Sequence, residues 1–423
     1  METTATLTLQ QKANRKRVGI GIALLVTGLL MFIFFVRGEQ AGQTATFGMN
    51  LIGSSQSELV IVPDLVLPVQ TSLYILILVT IFLGAWQVAR GVRSTGTLVG
   101  IVAFCFVSAF LIWATAGKSF NLVGMLSSTL GRATPIALAA LCGVISERAA
   151  VINIGIEGIM LMAAQAAVMV GTLTHSLMLG LFAALLTGAI VAGIHAVLVI
   201  RFKVDQTVSS VAINIFGAGA TSFISQRYLE SNVDMLNNSG TFKIISIPLL
   251  SKIPVLGPIL FENSPIVYLM LLVVVILHIV LFYTPWGLRT RAVGEHPKAA
   301  DTLGVNVYLM RYVNVILGGV IAGLGGAYFT VGAVGRFDQN MTAGKGFIGL
   351  AAMIFGKWTP IGSFLSSLLF GFADSLQVKM QILSVPIPAS FLAMAPYIIT
   401  MIVLTGVVGR AAAPAADGQP YEK

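Results

Sequence analysis

The chain has 423 residues, 57% hydrophobic and 10% charged. A soluble domain carries about 25% charged residues, so this composition excludes an ordinary water-soluble enzyme or binding module. The net charge of +9 does not point to nucleic acid, because membrane proteins gather Lys and Arg in their cytoplasmic loops.

The apolar runs reach about 18–20 residues, which matches a hydrocarbon core of roughly 30 Å crossed at about 1.5 Å per residue. They are continuous rather than alternating, which argues against a β-barrel. The first candidate span, 18–36, follows a basic tail, 1–17, containing "QKANRKR". It is longer than a signal-peptide core of about 7–15 residues and no A-x-A-like site follows, so an uncleaved span is expected. Spans 71–89 and 97–116 complete an N-terminal group, 18–120, with an outer loop at 37–70.

The remaining candidate spans, in a core of 121–409, are 128–145, 156–174, 177–200, 207–225, 265–284, 313–331, 346–357, 360–379 and 385–408. The piece "GFIGLAAMIFGK", 346–357, is too short to cross alone. With 360–379 it forms either two spans or one re-entrant pair. The expected fold class is all-α: a polytopic membrane protein of roughly 10–12 transmembrane helices, some broken or re-entrant. An inner N-terminus places Arg15, Lys16, Arg17, Arg201, Lys203, Arg289, Arg291, Lys298 and Arg311 on the inner side. That agrees with the positive-inside rule and makes both termini cytoplasmic.

Small residues recur every fourth position at Gly180, Ala184, Gly188, Ala192 and Ala196. Two neighbouring stripes run through Gly318, Ala322 and Gly326, and through Gly319, Gly323 and Ala327. Such stripes are packing faces, letting helix backbones approach where lipid offers no hydrophobic drive. Cys105 and Cys142 lie in apolar runs and read as buried packing residues. The four His are scattered and offer no metal geometry.

Polar residues inside the runs are few. In "SERAAVINIGIEGIM", Asn153 and Glu157 are spaced i, i+4 and share a face on a continuous helix. Gly155 and Gly158 weaken that helix by about 1 kcal/mol each relative to Ala, so an interruption beside a cavity is expected. Glu157 either lines the path or caps the start of the next helix. Asn214 in "AINIF" either bonds across helices or offers a donor and an acceptor to a substrate. Glu147 and Arg148 read as a solvated or lipid-headgroup pair, and Asp374 as paired with a backbone amide or with Lys379.

The loop 285–312, on the inner side, carries "GEHPKAADTLG". Pro297 suits the first helical position and Gly304 the position after the last turn. A two-turn helix follows, with Ala299, Ala300 and Leu303 on one face. That small apolar face favours a protein partner over an interfacial helix. An outer loop, 226–264, stands on the other side, and the Ala- and Pro-rich tail 410–423 is expected to be disordered. No G-x-x-x-x-G-K-[ST] occurs, so any ATP driving transport is bound elsewhere.

Together, "ISERAAVINIGIEGIMLMAA", "DQTVSSVAINIFGAGAT", "IPVLGPILFENSPIVY", "GLRTRAVGEHPKAADTLGVNV" and "GFIGLAAMIFGKWTPIGSFLSSLLFGFAD" resemble the permeases of bacterial ABC importers. The similarity is to the branched-chain amino acid/ribose permease family, in its nucleoside and simple-sugar branch, and spans about Gly131 to Gly409. It implies alternating access in the bacterial cytoplasmic membrane. It also implies an ABC ATPase subunit that binds ATP and Mg, a second homologous permease and a substrate-binding lipoprotein, with no cofactor in this chain. On the same resemblance, Gly294, Glu295, Pro297, Ala299, Ala300, Leu303 and Gly304 form the helix that couples to the ATPase. Asn153, Glu157 and Asn214 are the candidates for the path. The alternatives are a branched-chain amino acid permease and an ion-coupled secondary transporter. For an intramembrane enzyme, no nucleophile, metal or paired-carboxylate motif is present.

Overall fold

The computed structural model describes residues 9–36, 42–51, 62–92, 94–385, 387, 388, 391, 392, 394 and 412–423. Among them, ten helices are long and apolar enough to cross a membrane. The expected span at 385–408 lies almost wholly outside the described residues. The chain divides into two compact units.

The smaller unit holds α1 (Leu9–Met31), α2 (Val69–Ala89) and α3 (Thr95–Ala114). α1 and α2 cross where Gly21 meets Val88 and Gly84 meets Leu25; a Cβ on Gly21 would lie 2.5 Å from Val88 Cγ2. Three short strands, which the sequence did not announce, join the unit: β1 (Thr44–Gly48), β2 (Leu65–Pro68) and β3 (Ser119–Asn121). β1 lies between the other two, antiparallel to β2 and parallel to β3. Ala45 and Phe47 of β1 are buried on one face, the period of two that a half-covered strand needs.

The larger unit holds most of α4 (Leu122–Glu147), then α5 (Ile156–Thr174), α6 (Leu177–Ala196) and α7 (Gln206–Ile224). α8 (Pro265–Tyr283) leads to two short helices, α9 (Pro285–Glu295) and α10 (Pro297–Thr302). α11 (Val307–Ala327), α12 (Lys345–Phe355) and most of α13 (Pro360–Ile382) complete it. The small-residue stripes are each other's partners. A Cβ on Gly188 would lie 2.1 Å from Gly319 O, and one on Gly323 2.4 Å from Ala184 O. On the adjoining face of α11, Gly318 meets Ser146 and Gly326 meets Met160 O. α11 is thus wedged between α6 on one side and α4 and α5 on the other, at a separation only glycine permits.

α12 has 11 residues and α13 has 23. At about 1.5 Å per residue α12 covers roughly 16 Å, half a bilayer. The expected pair is therefore one half-helix and one full one. Residues 412–423, read from composition as a disordered tail, instead pack against the larger unit: Ala416 and Tyr421 are each 5% exposed. The tail has no core of its own and borrows one.

Candidate functional site

α4 ends in a tight turn. Ala150 adopts φ 63°, a left-handed conformation, and Val151 N donates to Ser146 O. Residues 151–155 then run without helical bonds before α5 starts at Ile156. Non-helical backbone among buried helices needs other partners for its amides and carbonyls. α7 provides three of them, at Ile152 N, Ile154 N and Ile154 O. Gln206 Oε1 accepts from Ile152 N at 2.7 Å, Ser210 Oγ from Ile154 N at 3.1 Å, and Asn214 Oδ1 from Gly158 N at 2.8 Å. Asn214 Nδ2 also donates to Ile154 O at 3.0 Å. These three residues, spaced i, i+4, i+8, form one stripe of α7. His195 meets one more, with Nε2 3.0 Å from Ile152 O and Nδ1 3.0 Å from Ser209 Oγ. Gly158 and Gly217 allow the approach, since a Cβ on Gly158 would lie 2.6 Å from Ile213 O.

Glu157 stands in the first turn of α5, but its carboxylate serves α12. Oε1 accepts from Thr342 Oγ1 at 2.6 Å and Gly344 N at 2.8 Å, and Oε2 accepts from Gly346 N at 2.6 Å. A Cβ on Gly346 would lie 2.7 Å from Oε2, so only glycine leaves room. Two helix N-termini, each positive by its dipole, meet around one buried carboxylate.

Next to this junction is a charged triad. Lys345 Nζ lies 3.0 Å from Asp374 Oδ1, and Arg132 Nη1 lies 2.9 Å from Asp374 Oδ2. The Asp374 side chain is 14% exposed, Lys345 18% and Arg132 37%. Ser128 and Ser375 hydroxyls are 2.5 Å apart on the same two helices, α4 and α13. The triad carries one positive charge in excess, and Arg132 is its most open member.

At the far end of α4, Glu147 is buried, 6% exposed. Trp358 Nε1 donates to it at 2.5 Å, while Arg148 Nε donates to Trp358 O at 3.0 Å. Nearby, His296 Nδ1 accepts from Ala299 N at 3.1 Å and caps α10, and Gly304 closes it at φ 83°. Ala300 is 3% exposed, packed with Val293, Val307, Met310 and Tyr421, whereas Leu303 is 85% exposed.

The chain matches the model of a permease family, described as branched-chain amino acid transport system / permease component, over residues 125–408. It is 44% identical over 308 residues to the guanosine ABC transporter permease protein NupQ of Bacillus subtilis, covering 70% of this chain and 95% of that protein. The nucleoside ABC transporter permease protein NupC of Lactococcus lactis is 43% identical over 301 residues, 69% of this chain and 94% of that protein. The putative glucose ABC transporter permease protein TsgC13 of Haloferax volcanii is 36% identical over 261 residues, covering 62% and 79%. This chain belongs to the branched-chain amino acid transport system permease family. No solved structure matches it.

The permease brings Asn153, Glu157 and Asn214 into one region, although Asn214 comes from a separate span: it bonds Ile154 and Gly158 between and beside the other two. It does not place Asn153 and Glu157 on one helix face, because the helix is broken between them. Asn153 is fully buried and its Oδ1 accepts from Gly155 N at 3.1 Å. All three side chains are engaged with backbone or hydroxyl groups of the chain itself. Asp374 pairs with Arg132 and Lys345 rather than Lys379, because those cations reach it from two neighbouring helices. Glu147 and Arg148 are not a solvated pair; both are turned to Trp358. Ala299 and Leu303 are exposed, but Ala300 faces the permease's own core, so the three do not form one docking face. Residues the sequence reading passed over are Arg132, Lys345, Gln206 and Ser210. The i, i+4, i+8 polar stripe of α7 was a visible signal for the last two.

Proposed function

We propose that this permease forms the membrane path of an ATP-driven importer for nucleosides or simple sugars, working by alternating access. The observation that carries this reading is the 44% identity that extends over 95% of the guanosine permease. ATP is hydrolysed by a partner ATPase, and a second, homologous permease completes the path. The half-exposed Arg132, within a span, supports that pairing, since a charged side chain in a span faces a bundle interior or a wet cavity.

Within the path, the triad Arg132–Asp374–Lys345 is the polar station. Asp374 fixes both cations, and Arg132 keeps donors free to meet a base carbonyl or a sugar hydroxyl. Asn153, Glu157 and Asn214 hold the surrounding backbone in place. α10 docks on the ATPase on the cytoplasmic side, with Leu303 as its anchor. An ion-coupled mechanism fits less well: Glu157 accepts three hydrogen bonds and Asp374 holds two cations, so neither of these two acids is left to bind an ion.

Two measurements test this. The permease, purified gently from its membranes, should bring down a soluble ATPase. Vesicles carrying that complex, supplied with the extracytoplasmic binding protein, should take up labelled guanosine when ATP is present. Uptake that ignores ATP but collapses with the ion gradient would overturn the reading. The Arg132→Gln variant should lower uptake about tenfold or more, the loss of roughly 1.4 kcal/mol or more of path interaction, while Lys345 still pairs with Asp374. Unchanged uptake would remove Arg132 from the path.

A further inference from the structure

The C-terminal segment 414–423 touches six parts of the larger unit. Ala416 N donates to Gly294 O at 3.0 Å, and Ala415 N to Glu295 Oε2 at 3.3 Å, both on α9. Arg311 of α11 donates to Gln419 O at 3.0 Å, and its guanidinium lies 6.0 Å from the centre of the Tyr421 ring. Tyr421 meets Tyr308 edge to face, with centroids 5.3 Å apart, and enters the core under Ala300 of α10. Lys203, in the α6–α7 connection, pairs with Glu422 at 2.6 Å, and Asp301 of α10 pairs with Lys423 at 3.5 Å.

The other end of the segment reaches inward. The Asp417 carboxyl lies beside that of Glu147 at the end of α4. Gly418, at φ 73°, lies against Ile152; a Cβ there would come 2.8 Å from Ile152 Cδ1. Ile152 belongs to the extended stretch 151–155, whose amide and carbonyl are held by α7 and by His195 of α6. Only Gln419 and Pro420 separate the part that touches this stretch from the Tyr421 ring under α10.

We infer that residues 414–423 are a strap that carries movement of α10 to the helix break at 151–155. Three features fit a strap better than a lid. Tyr421 is buried rather than laid over a surface. The contacts join several elements instead of covering the exposed Leu303. The link from Tyr421 to Gly418 is short and anchored at both ends, by Arg311 and by Gly294. α10 is also linked through α9 and α11, so the strap adds a second, direct route from the same lever to the buried backbone. In this role Tyr421 is a positioning residue: it touches neither substrate nor ATP. The inference rests on the reading of α10 as the element that engages the ATPase, and the experiment separates the two.

The test uses the purified complex of permease, ATPase and binding protein in vesicles, with two quantities read side by side: ATPase recovered with the permease, and guanosine molecules moved per ATP hydrolysed. Tyr421→Ala should leave ATPase recovery at the wild-type level and lower transport per ATP about fivefold or more. Tyr421→Phe, which keeps the ring, should restore the ratio. An unchanged ratio in Tyr421→Ala overturns the strap. Loss of ATPase recovery in Tyr421→Ala also overturns it, by making the segment part of the docking surface. Loss of ATPase recovery in Leu303→Asp is what the α10 reading requires, and its failure would strike that reading instead.

A second variant guards against a Tyr421→Ala chain that does not fold. Asp301→Cys with Lys423→Cys, bridged by a reducible bifunctional thiol cross-linker long enough to replace the lysine side chain, ties the strap to α10. A strap moves with α10, so cross-linking should leave transport per ATP at the value of the same variant before cross-linking. Transport that stops on cross-linking and returns on reduction would mean the segment must leave its seat, and the strap would be refuted.

Discussion

Glu157 shows how a buried charge can be structural without being inert. Its two oxygens accept one hydroxyl and two backbone amides at the start of α12. Charge-assisted bonds of this kind contribute about 1.5–3 kcal/mol each, and an unpaired buried donor costs about 1–3 kcal/mol. Glu157→Gln turns an amide NH2 toward a backbone N–H whichever way it is oriented, because both oxygens are needed as acceptors. We expect a loss of about 1–3 kcal/mol, seen as a lower melting temperature in detergent, with substrate affinity of the folded fraction unchanged. A variant as stable as wild type but unable to transport would instead put Glu157 in contact with substrate. Sequence position alone showed that this acid was unusual. It could not show which helix the acid serves, because Thr342, Gly344 and Gly346 lie almost 190 residues away along the chain.

The elements display the same division between what is local and what is not. Caps, spans and packing stripes were legible because each depends on a few neighbouring residues. Pro297, His296 and Gly304 bound α10 where the loop chemistry placed it. The stripes of α6 and α11 were legible as faces, but their mutual pairing was not. The break before α5 was legible from Gly155 and Gly158, while its repair by Gln206, Ser210 and Asn214 depends on how α7 docks. The β1–β3 sheet escaped because its strands are three to five residues long and embedded in the sequence between spans. The α7 stripe yields a direct test. Asn214→Leu leaves the Gly158 amide and the Ile154 carbonyl without their partner. It should cost about 1–3 kcal/mol and raise amide exchange at 152–158, whereas Ile215→Leu on the exposed side of α7 should do neither. Equal exchange in the two variants would show that the stripe does not hold the break.

At the scale of the whole molecule, the tail was misread because composition reports only whether a segment can build its own core. Residues 412–423 cannot, yet they dock on a core supplied by α9, α10 and α11, and Tyr421 was the one large apolar anchor that could have signalled it. The docked tail also carries a charge whose titration is displaced. Burial pushes the Asp417 carboxyl up from 3.8 to about 6, against the opposing pull of Arg311, with the Glu147 carboxyl as its other ionisable neighbour. A carboxyl with a raised pKa binds its proton more tightly when docked than when free. The contribution of Asp417 to docking is therefore greatest below about pH 4, is lost as pH rises toward 6, and is constant above it. Protease sensitivity of the tail in the assembled complex should rise over that interval. Asp417→Asn, neutral at every pH, should flatten the interval and leave the tail better protected than wild type at pH 7. A wild-type profile already flat between pH 4 and 7 would mean that Asp417 keeps its ordinary carboxylate behaviour and contributes nothing to how firmly the tail is held.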